Sequence, residues 1–182
     1  MTRQVGLLRG INVGGRNRVP MAQLRELMEA LGYTGVETLL QSGNVVFGSK
    51  EPAATSERRI AQRLHDETGL DIKVLVRTRV QLAAVVKRNP LAEHADNPKH
   101  HHVVFLSGRP DPKLVAAVEP SDYAPEMFEV HGRELFMWWP AGAHKARLTH
   151  SFWERKLKVT ATARNWNTVE RLLELAGRDG PV

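Results

Sequence analysis

The chain of 182 residues contains no cysteine. It therefore has no disulfide, no thiolate nucleophile and no cysteine-ligated zinc or iron–sulfur site. No apolar run approaches the ~20 residues that a bilayer-spanning helix needs, and the apolar stretch near the start is broken by Arg9. We therefore expect a cytoplasmic protein without a membrane partner.

Acidic residues are absent from four stretches, namely residues 5–22, 38–50, 137–151 and 155–169. Carboxylates are the ligands that Mg²⁺ prefers and the usual general acid/base pair, so neither chemistry is expected in these stretches. The whole chain carries a net charge of +6. This balance favours anionic partners, although it can equally serve solubility alone. The sequence implies no cofactor.

Hydrophobic patterning predicts the element order β-α-β-β-α-β within the first 77 residues. Pro20 suits the first turn of the first helix, Ser56 is a candidate cap for the second, and Ser42-Gly43-Asn44 forms the turn of a hairpin. This order is that of the ferredoxin-like unit. We predict an antiparallel sheet with both helices on one face and the other face free for a ligand. The predicted strands are 5–8, 36–40, 45–47 and 72–76.

The second half predicts a less regular arrangement without an internal sequence repeat. A strand at 102–106 and a short helix after Asp111 precede a hairpin across Gly132, and two helices end the chain. The first should begin near Thr149 or Ser151 and the second near Asn167. We predict an α+β protein of two lobes, a ferredoxin-like lobe at 1–78 and a smaller α+β lobe at 79–182.

The loop between the first strand and the first helix is the strongest candidate site. Gly14 and Gly15 let backbone N–H groups turn towards a ligand, and helix N-termini favour anions. Guanidinium and amide groups can add hydrogen bonds to phosphate or carboxylate. The candidate side chains are Arg9, Asn12, Arg16 and Asn17, with Arg18 beside them. The alternative is a strand-to-helix connection whose glycines take positive φ and whose arginines are solvated.

A second candidate lies before the last helix. Arg164 can bind an anion and Trp166 can stack on a base, with Asn165 between them. The alternative is that Asn165 or Asn167 caps the helix and Trp166 packs in the core. A basic stretch that contains Lys145 and Arg147 is either a solvated loop or a further part of an anion site.

Two other groups of residues have structural explanations that we favour. Ser42 and Asn44 suit the hairpin turn, which we place at the sheet end opposite the end of the first strand, away from Arg9. His100, His101 and His102 invite a metal interpretation, but neighbours on a strand alternate faces, so a polar strand edge is the better explanation. We predict no metal site.

Three segments carry a family resemblance: residues 8–17, 41–47 and 161–169. In this order and at these separations they resemble domain-of-unknown-function family 1697, which is common in bacteria, over residues 3–176. The resemblance implies a two-lobed α+β fold with a ferredoxin-like first lobe. It implies no activity and no catalytic residue.

Three functions remain open. The first is binding of a small phosphorylated or carboxylated ligand through the Gly/Asn/Arg loop. The second is nucleic-acid binding, which the charge favours, although Phe47 is the one aromatic residue in the strands of the first lobe and the aromatic motif of RNA-recognition sheets is missing. The third is a protein-interaction module without catalysis.

Overall fold

A computed structural model describes residues 1–178 as an α+β protein. Two short 3₁₀ helices, Pro120–Tyr123 and Ala143–Lys145, lie in connections of its second half. No helix among residues 1–178 is both long enough and apolar enough to cross a bilayer. The strands and helices are, in chain order, β1 (Thr2–Leu8), α1 (Met21–Ala30), β2 (Thr34–Leu39), β3 (Asn44–Ser49), α2 (Ala53–Thr68), β4 (Val74–Thr78), α3 (Arg79–Arg88), β5 (His101–Leu106), α4 (Pro112–Ala116), β6 (Met127–His131), β7 (Glu134–Trp138), α5 (His150–Leu157), β8 (Ala161–Asn165) and α6 (Trp166–Gly177).

The first sheet has the strand order β2-β3-β1-β4, and every neighbouring pair in it is antiparallel. This confirms the ferredoxin-like unit predicted from the sequence. One face of the sheet packs against α1 and α2, because the apolar positions of those helices recur at helical spacing and face the same side. The fully buried members of this core include Leu8, Val45, Phe47, Val76, Leu24, Met28, Ile60 and Leu64.

The opposite face of the first sheet is not free, contrary to the prediction. Val5, Leu7, Val46 and Leu75 alternate with the residues of the helix-covered face, and all four are buried. Apolar residues on both faces are typical of a sheet that is covered on both sides. A ligand therefore cannot bind across this face in the manner of an RNA-recognition sheet.

The second sheet repeats the architecture of the first. Its order, β6-β7-β5-β8, places the first strand of the half beside the third and the fourth, as in β2-β3-β1-β4. The element order is again β-α-β-β-α-β, and a helix follows each last strand. The core of this half contains Val104, Leu106, Leu135 and Met137 from the sheet and Trp153 from α5. The sequence did not predict β8, and without β8 the repeat is not apparent.

Two compact units make up the chain. The first is Met1–Ala84 together with the chain from Arg171, and the second is Val85–Glu170. The division at 1–78 and 79–182 drawn from the sequence has its boundary a few residues earlier and assigns the whole last helix to the second lobe. It stays a prediction.

Two of the three predicted helix starts agree with the structure, and the predicted cap at Ser56 is wrong. Helix α2 begins after Pro52, so Ser56 is a buried interior residue and not a cap. Thr149 caps α5, because its Oγ1 accepts a hydrogen bond of 3.2 Å from the Phe152 N–H, which leaves Ser151 inside the helix. Helix α6 begins one residue before the predicted Asn167.

Candidate anion-binding site

The first two sequence motifs meet at one end of the first sheet, where the central strands β1 and β3 lie side by side. The Leu8 N–H donates a hydrogen bond of 2.8 Å to the Gly43 carbonyl, and Leu7 pairs with Asn44. The prediction that the hairpin turn lies at the far end of the sheet is wrong. Because β1 and β3 are antiparallel, the start of β3 lies beside the end of β1.

The Gly-rich loop forms a small hairpin of its own, residues 12–17, which we call the arginine hairpin. The Asn12 N–H donates to the Asn17 carbonyl (3.1 Å) and the Arg16 N–H to the Val13 carbonyl (3.1 Å). Gly14 and Gly15 have φ of 57° and 75°. Positive φ at both central residues is the requirement of a type I′ turn, which matches the twist of the strands that it joins. Turn geometry thus accounts for the glycine pair.

Two asparagine side chains fix the base of the arginine hairpin. The Asn12 amide donates to the carbonyls of Val19 (2.9 Å) and Gln41 (2.7 Å), and its oxygen accepts from the Val19 N–H (2.9 Å). The Asn17 amide donates to the Gly10 carbonyl at 3.1 Å. Both asparagines have positive φ, which asparagine tolerates better than most residues. Their amides stabilise the loop and tie it to the neighbouring hairpin turn.

Cationic and apolar side chains surround this fixed base and point to solvent. Arg16, Arg18 and Lys73 are exposed. Val13 is 65% exposed and Leu40 is 59% exposed, which is unusual for large apolar residues. These five residues form what we call the arginine edge. Arg9 lies beside it and is half-buried, and its N–H donates to the Lys73 carbonyl at 2.9 Å.

The hairpin turn of the second motif is built for packing. Asn44 is fully buried, and its amide donates to the Leu39 carbonyl (2.9 Å) and to Ser42 Oγ (3.1 Å). A Cβ on Gly43 would lie 2.7 Å from Ile11 Cδ1, so glycine is required there for space as well as for its φ of 80°. These contacts support the turn-forming interpretation of Ser42 and Asn44.

The third motif lies in the second unit and is largely buried. Arg164 in β8 donates from Nη1 to Thr162 Oγ1 (2.8 Å) and to the Ala163 carbonyl (2.7 Å), and burial lowers the pKa of its guanidinium to about 10. Asn165 caps α6 through its Oδ1, which accepts from the Thr168 N–H at 2.9 Å. Trp166 is buried and stacks on the His101 ring at 4.4 Å. Capping and packing, the alternative left open by the sequence, describe Asn165 and Trp166.

The sequence did not single out Arg77, which occupies in β4 the position that Arg164 has in β8. Arg77 pairs with Val5 and Arg164 with Val103, each at the corresponding place in the first strand of its sheet. Both guanidiniums are buried, and both donate from Nη1 to the carbonyl of the preceding residue. Arg77 could have been found from the sequence by one shared pattern. In both halves the arginine is followed by a residue that caps the next helix, Thr78 or Asn165.

The three consecutive histidines form no metal centre. Within residues 1–178, no three or more His, Asp or Glu residues are grouped in a way that could hold a metal ion. His101 stacks on Trp166, and the His102 ring lies 4.1 Å from that of Trp139. Burial, together with neighbouring histidines, lowers the pKa of both His101 and His102 to about 4. Neutral aromatic packing is the role that these contacts support.

The family described as "Protein of unknown function (DUF1697)" matches residues 1–136 of the chain. The chain belongs to this family. The resemblance of the sequence motifs is thereby confirmed, although the match ends before the third motif. No curated protein sequence matches the chain.

Among solved structures, the conserved bacterial protein SP0830 from Streptococcus pneumoniae is similar to this DUF1697 chain. The two are 24% identical, the alignment covers 96% of this chain and 98% of the other, and the TM-score is 0.77. At this identity the similarity shows the fold, which agrees with the α+β prediction, and it says nothing of a ligand.

Proposed function

We propose that the protein binds phosphate polyanions, with nucleic acid as the ligand class, through the arginine edge. The observation that carries the proposal is the pair of exposed guanidiniums, Arg16 and Arg18, on a hairpin whose base is fixed by Asn12 and Asn17. Because the base is fixed, binding has to order only the two arginine side chains and not the loop backbone. The absence of acidic residues from 5–22 removes competing ion pairs within the loop.

The distribution of hydrogen-bond donors favours an extended ligand over an enclosed one. Both amide hydrogens of Asn12 and one of Asn17 already have backbone acceptors, and the N–H groups of Asn12 and Arg16 are used within the hairpin. A Cβ built on Gly14 or Gly15 would meet nothing within 4 Å, so the tip is open. The exposed cations Arg16 and Arg18 follow this open tip in the chain, and separate exposed cations suit successive phosphates along a strand.

The proposed mode does not use the sheet. RNA-recognition sheets stack bases on exposed aromatic residues of their central strands. Here the corresponding face carries the buried residues Val5, Leu7 and Val46. Contact through the arginine edge would be made to phosphates, so it would be largely independent of base sequence.

The test is fluorescence anisotropy with labelled single-stranded DNA, duplex DNA and single-stranded RNA of equal length at low salt. We expect binding in the wild type and a loss of roughly 10–30-fold in affinity in the double variant Arg16→Gln/Arg18→Gln, because each lost phosphate contact costs on the order of 1 kcal/mol at an exposed site. The double variant Arg58→Gln/Arg88→Gln is the control, since both residues are exposed and the net charge change is the same.

If both double variants lose the same affinity, the effect comes from net charge alone, and the assignment of the site is contradicted. Absence of binding to any of the three nucleic acids, with thermal stabilisation by nucleotides or sugar phosphates that Arg16→Gln/Arg18→Gln abolishes, would instead assign the arginine edge to a small phosphorylated ligand.

A further inference from the structure

The second unit contains a pocket that the proposed function does not use. It has a volume of about 320 Å³. Its residues come from the segment after the first 3₁₀ helix and from the basic stretch that follows β7. We call it the Trp139 pocket; its principal lining residues are Pro125, Glu126, Trp139, Pro140, Lys145 and Arg147.

An ion pair with four further hydrogen bonds holds the two segments of the pocket together. The Glu126 carboxylate accepts from the N–H groups of Arg147 (2.8 Å) and Leu148 (2.9 Å), and Arg147 Nε lies 3.6 Å from Glu126 Oε1. The Arg147 guanidinium also donates to the carbonyls of Asp122 (2.9 Å) and Ala124 (3.1 Å). These bonds preform the pocket, which lowers the entropic cost of binding.

The lining of the pocket is mostly apolar. Trp139 is 4% exposed and packs on the ring of His102, and Pro125 and Pro140 add rigid apolar surface. Within residues 1–178 the Trp139 indole N–H is buried without an acceptor. A hydrocarbon ring suits this lining, because placing it against the prolines and the small exposed part of Trp139 removes apolar surface from water.

One cation at the pocket is not neutralised by the protein. Glu126 and Arg147 neutralise each other, whereas Lys145 is exposed and has no acidic partner in the part of the chain that the structure describes. A single ammonium group matches a single carboxylate, while a phosphate dianion would call for several donors. The volume lies near the lower end of the range for small-molecule sites, which limits the ligand to a small one.

We propose that the Trp139 pocket binds a small monocarboxylate with a flat apolar or aromatic body. The ring lies against Pro125 and Pro140 beside the small exposed part of Trp139, and the carboxylate accepts a hydrogen bond from the Lys145 ammonium. The site lies entirely within the second unit, and the proposal is independent of polyanion binding at the arginine edge.

The experiment is an NMR titration of the full chain, labelled with ¹⁵N, with sodium benzoate, and with benzamide as the uncharged analogue. We expect benzoate to shift the indole N–H signal of Trp139 with Kd about 1 mM, the affinity of a ligand with few atoms. Trp153 belongs to the same core but does not line the pocket, so its indole signal should move much less than that of Trp139. Lys145→Met should weaken benzoate binding about tenfold, and Lys113→Met, an exposed site outside the pocket, should not change it.

Each other outcome overturns the proposal. If benzoate and benzamide bind equally, or if Lys145→Met and Lys113→Met behave alike, the carboxylate has no partner at Lys145. A further variant, Ala141→Trp, fills the pocket from an exposed lining position. If it keeps the wild-type melting temperature and still binds benzoate with unchanged affinity, the ligand lies elsewhere. The absence of any shift at tens of millimolar benzoate contradicts the site altogether.

Discussion

Asparagine in a Gly-rich loop can either donate a hydrogen bond to a ligand or hold the loop itself in place, and Asn12 does the second. Its amide was a candidate ligand donor in the sequence, since asparagine in a Gly-rich loop can face an anion. In the structure the side chain makes three hydrogen bonds to backbone groups, one of them to the neighbouring hairpin turn. The sequence could not decide between these roles, because the partners Val19 and Gln41 are brought to Asn12 by the fold and not by a local pattern.

Replacement of Asn12 by alanine should therefore destabilise the protein. Three hydrogen bonds at about 0.5–1.5 kcal/mol each predict a loss of about 1.5–4.5 kcal/mol in the free energy of unfolding, measured by urea denaturation. Asn17→Ala is the matched control, since it has a similar positive φ and loses one hydrogen bond. If the two variants lose equal stability, the Asn12 side-chain hydrogen bonds do not hold the loop.

The buried histidines predict a dependence of stability on pH. The pKa of His101 is lowered to about 4, so the folded chain excludes a proton that the unfolded chain binds below about pH 6.5. Stability should be fully present above pH 6.5 and fall progressively as the pH decreases towards 4. His102 acts in the same direction.

His101→Phe keeps an aromatic ring against Trp166 and removes the titrating group. We expect the loss of stability between pH 6.5 and 4 to become shallower in this variant than in the wild type, as measured by the urea midpoint at several pH values. Parallel pH profiles would show that His101 does not titrate on unfolding.

The glycines in the turns of the β2–β3 and β6–β7 hairpins, Gly43 and Gly132, both have positive φ, but only Gly43 is also required for space. Gly43 has a φ of 80°, and a Cβ there would lie 2.7 Å from Ile11 Cδ1 and 2.8 Å from Leu8 Cβ. Gly132 has a φ of 63°, but the nearest atom to its Cβ would be Glu134 Oε2 at 3.9 Å. Both turns were predicted from the sequence. The close packing of the first turn against the Gly-rich loop was not, because the turn was placed at the wrong end of the sheet, whereas antiparallel pairing of β1 with β3 puts it beside the end of β1.

Alanine substitution should separate strain from steric conflict. We expect Gly132→Ala to lower the free energy of unfolding by about 1 kcal/mol, since its only unfavourable effect is to place a side chain on a left-handed backbone. Gly43→Ala should cost about 3 kcal/mol or more, because it adds an atom inside a packed contact. The measurement is the urea midpoint of both variants. Similar losses of stability in the two variants would mean that the turn at Gly43 relaxes around the added methyl group.

At the scale of the whole molecule, the sequence predicts the first of the two β-α-β-β-α-β arrangements and not the second. The β-α-β-β-α-β order of the first half follows from clear apolar patterns and glycine turns. In the second half, β8 has the sequence Ala-Thr-Ala-Arg-Asn, which contains no large apolar residue, and α4 has only five residues. Strand β8 forms through pairing with β5, a long-range contact that local patterns do not show. The repeat is therefore visible in strand order and not in the sequence.

The arginine edge follows from the same large-scale arrangement. The first two motifs are 24 residues apart, from Asn17 to Gln41, yet antiparallel pairing of β1 with β3 places them side by side. The cluster of exposed cations beside Val13 and Leu40 is a property of the folded unit. Sequence charge alone indicated an anionic partner without indicating where it would bind.

The most direct test of polyanion binding is the salt dependence of affinity for duplex DNA. Three phosphate contacts, from Arg16, Arg18 and Lys73, predict that log K falls with log salt at a slope of about −2.7, and that Arg16→Gln/Arg18→Gln reduces the slope to about −1. A slope in the double variant equal to that of the wild type would contradict the account, since it would mean that these arginines release no counterions on binding.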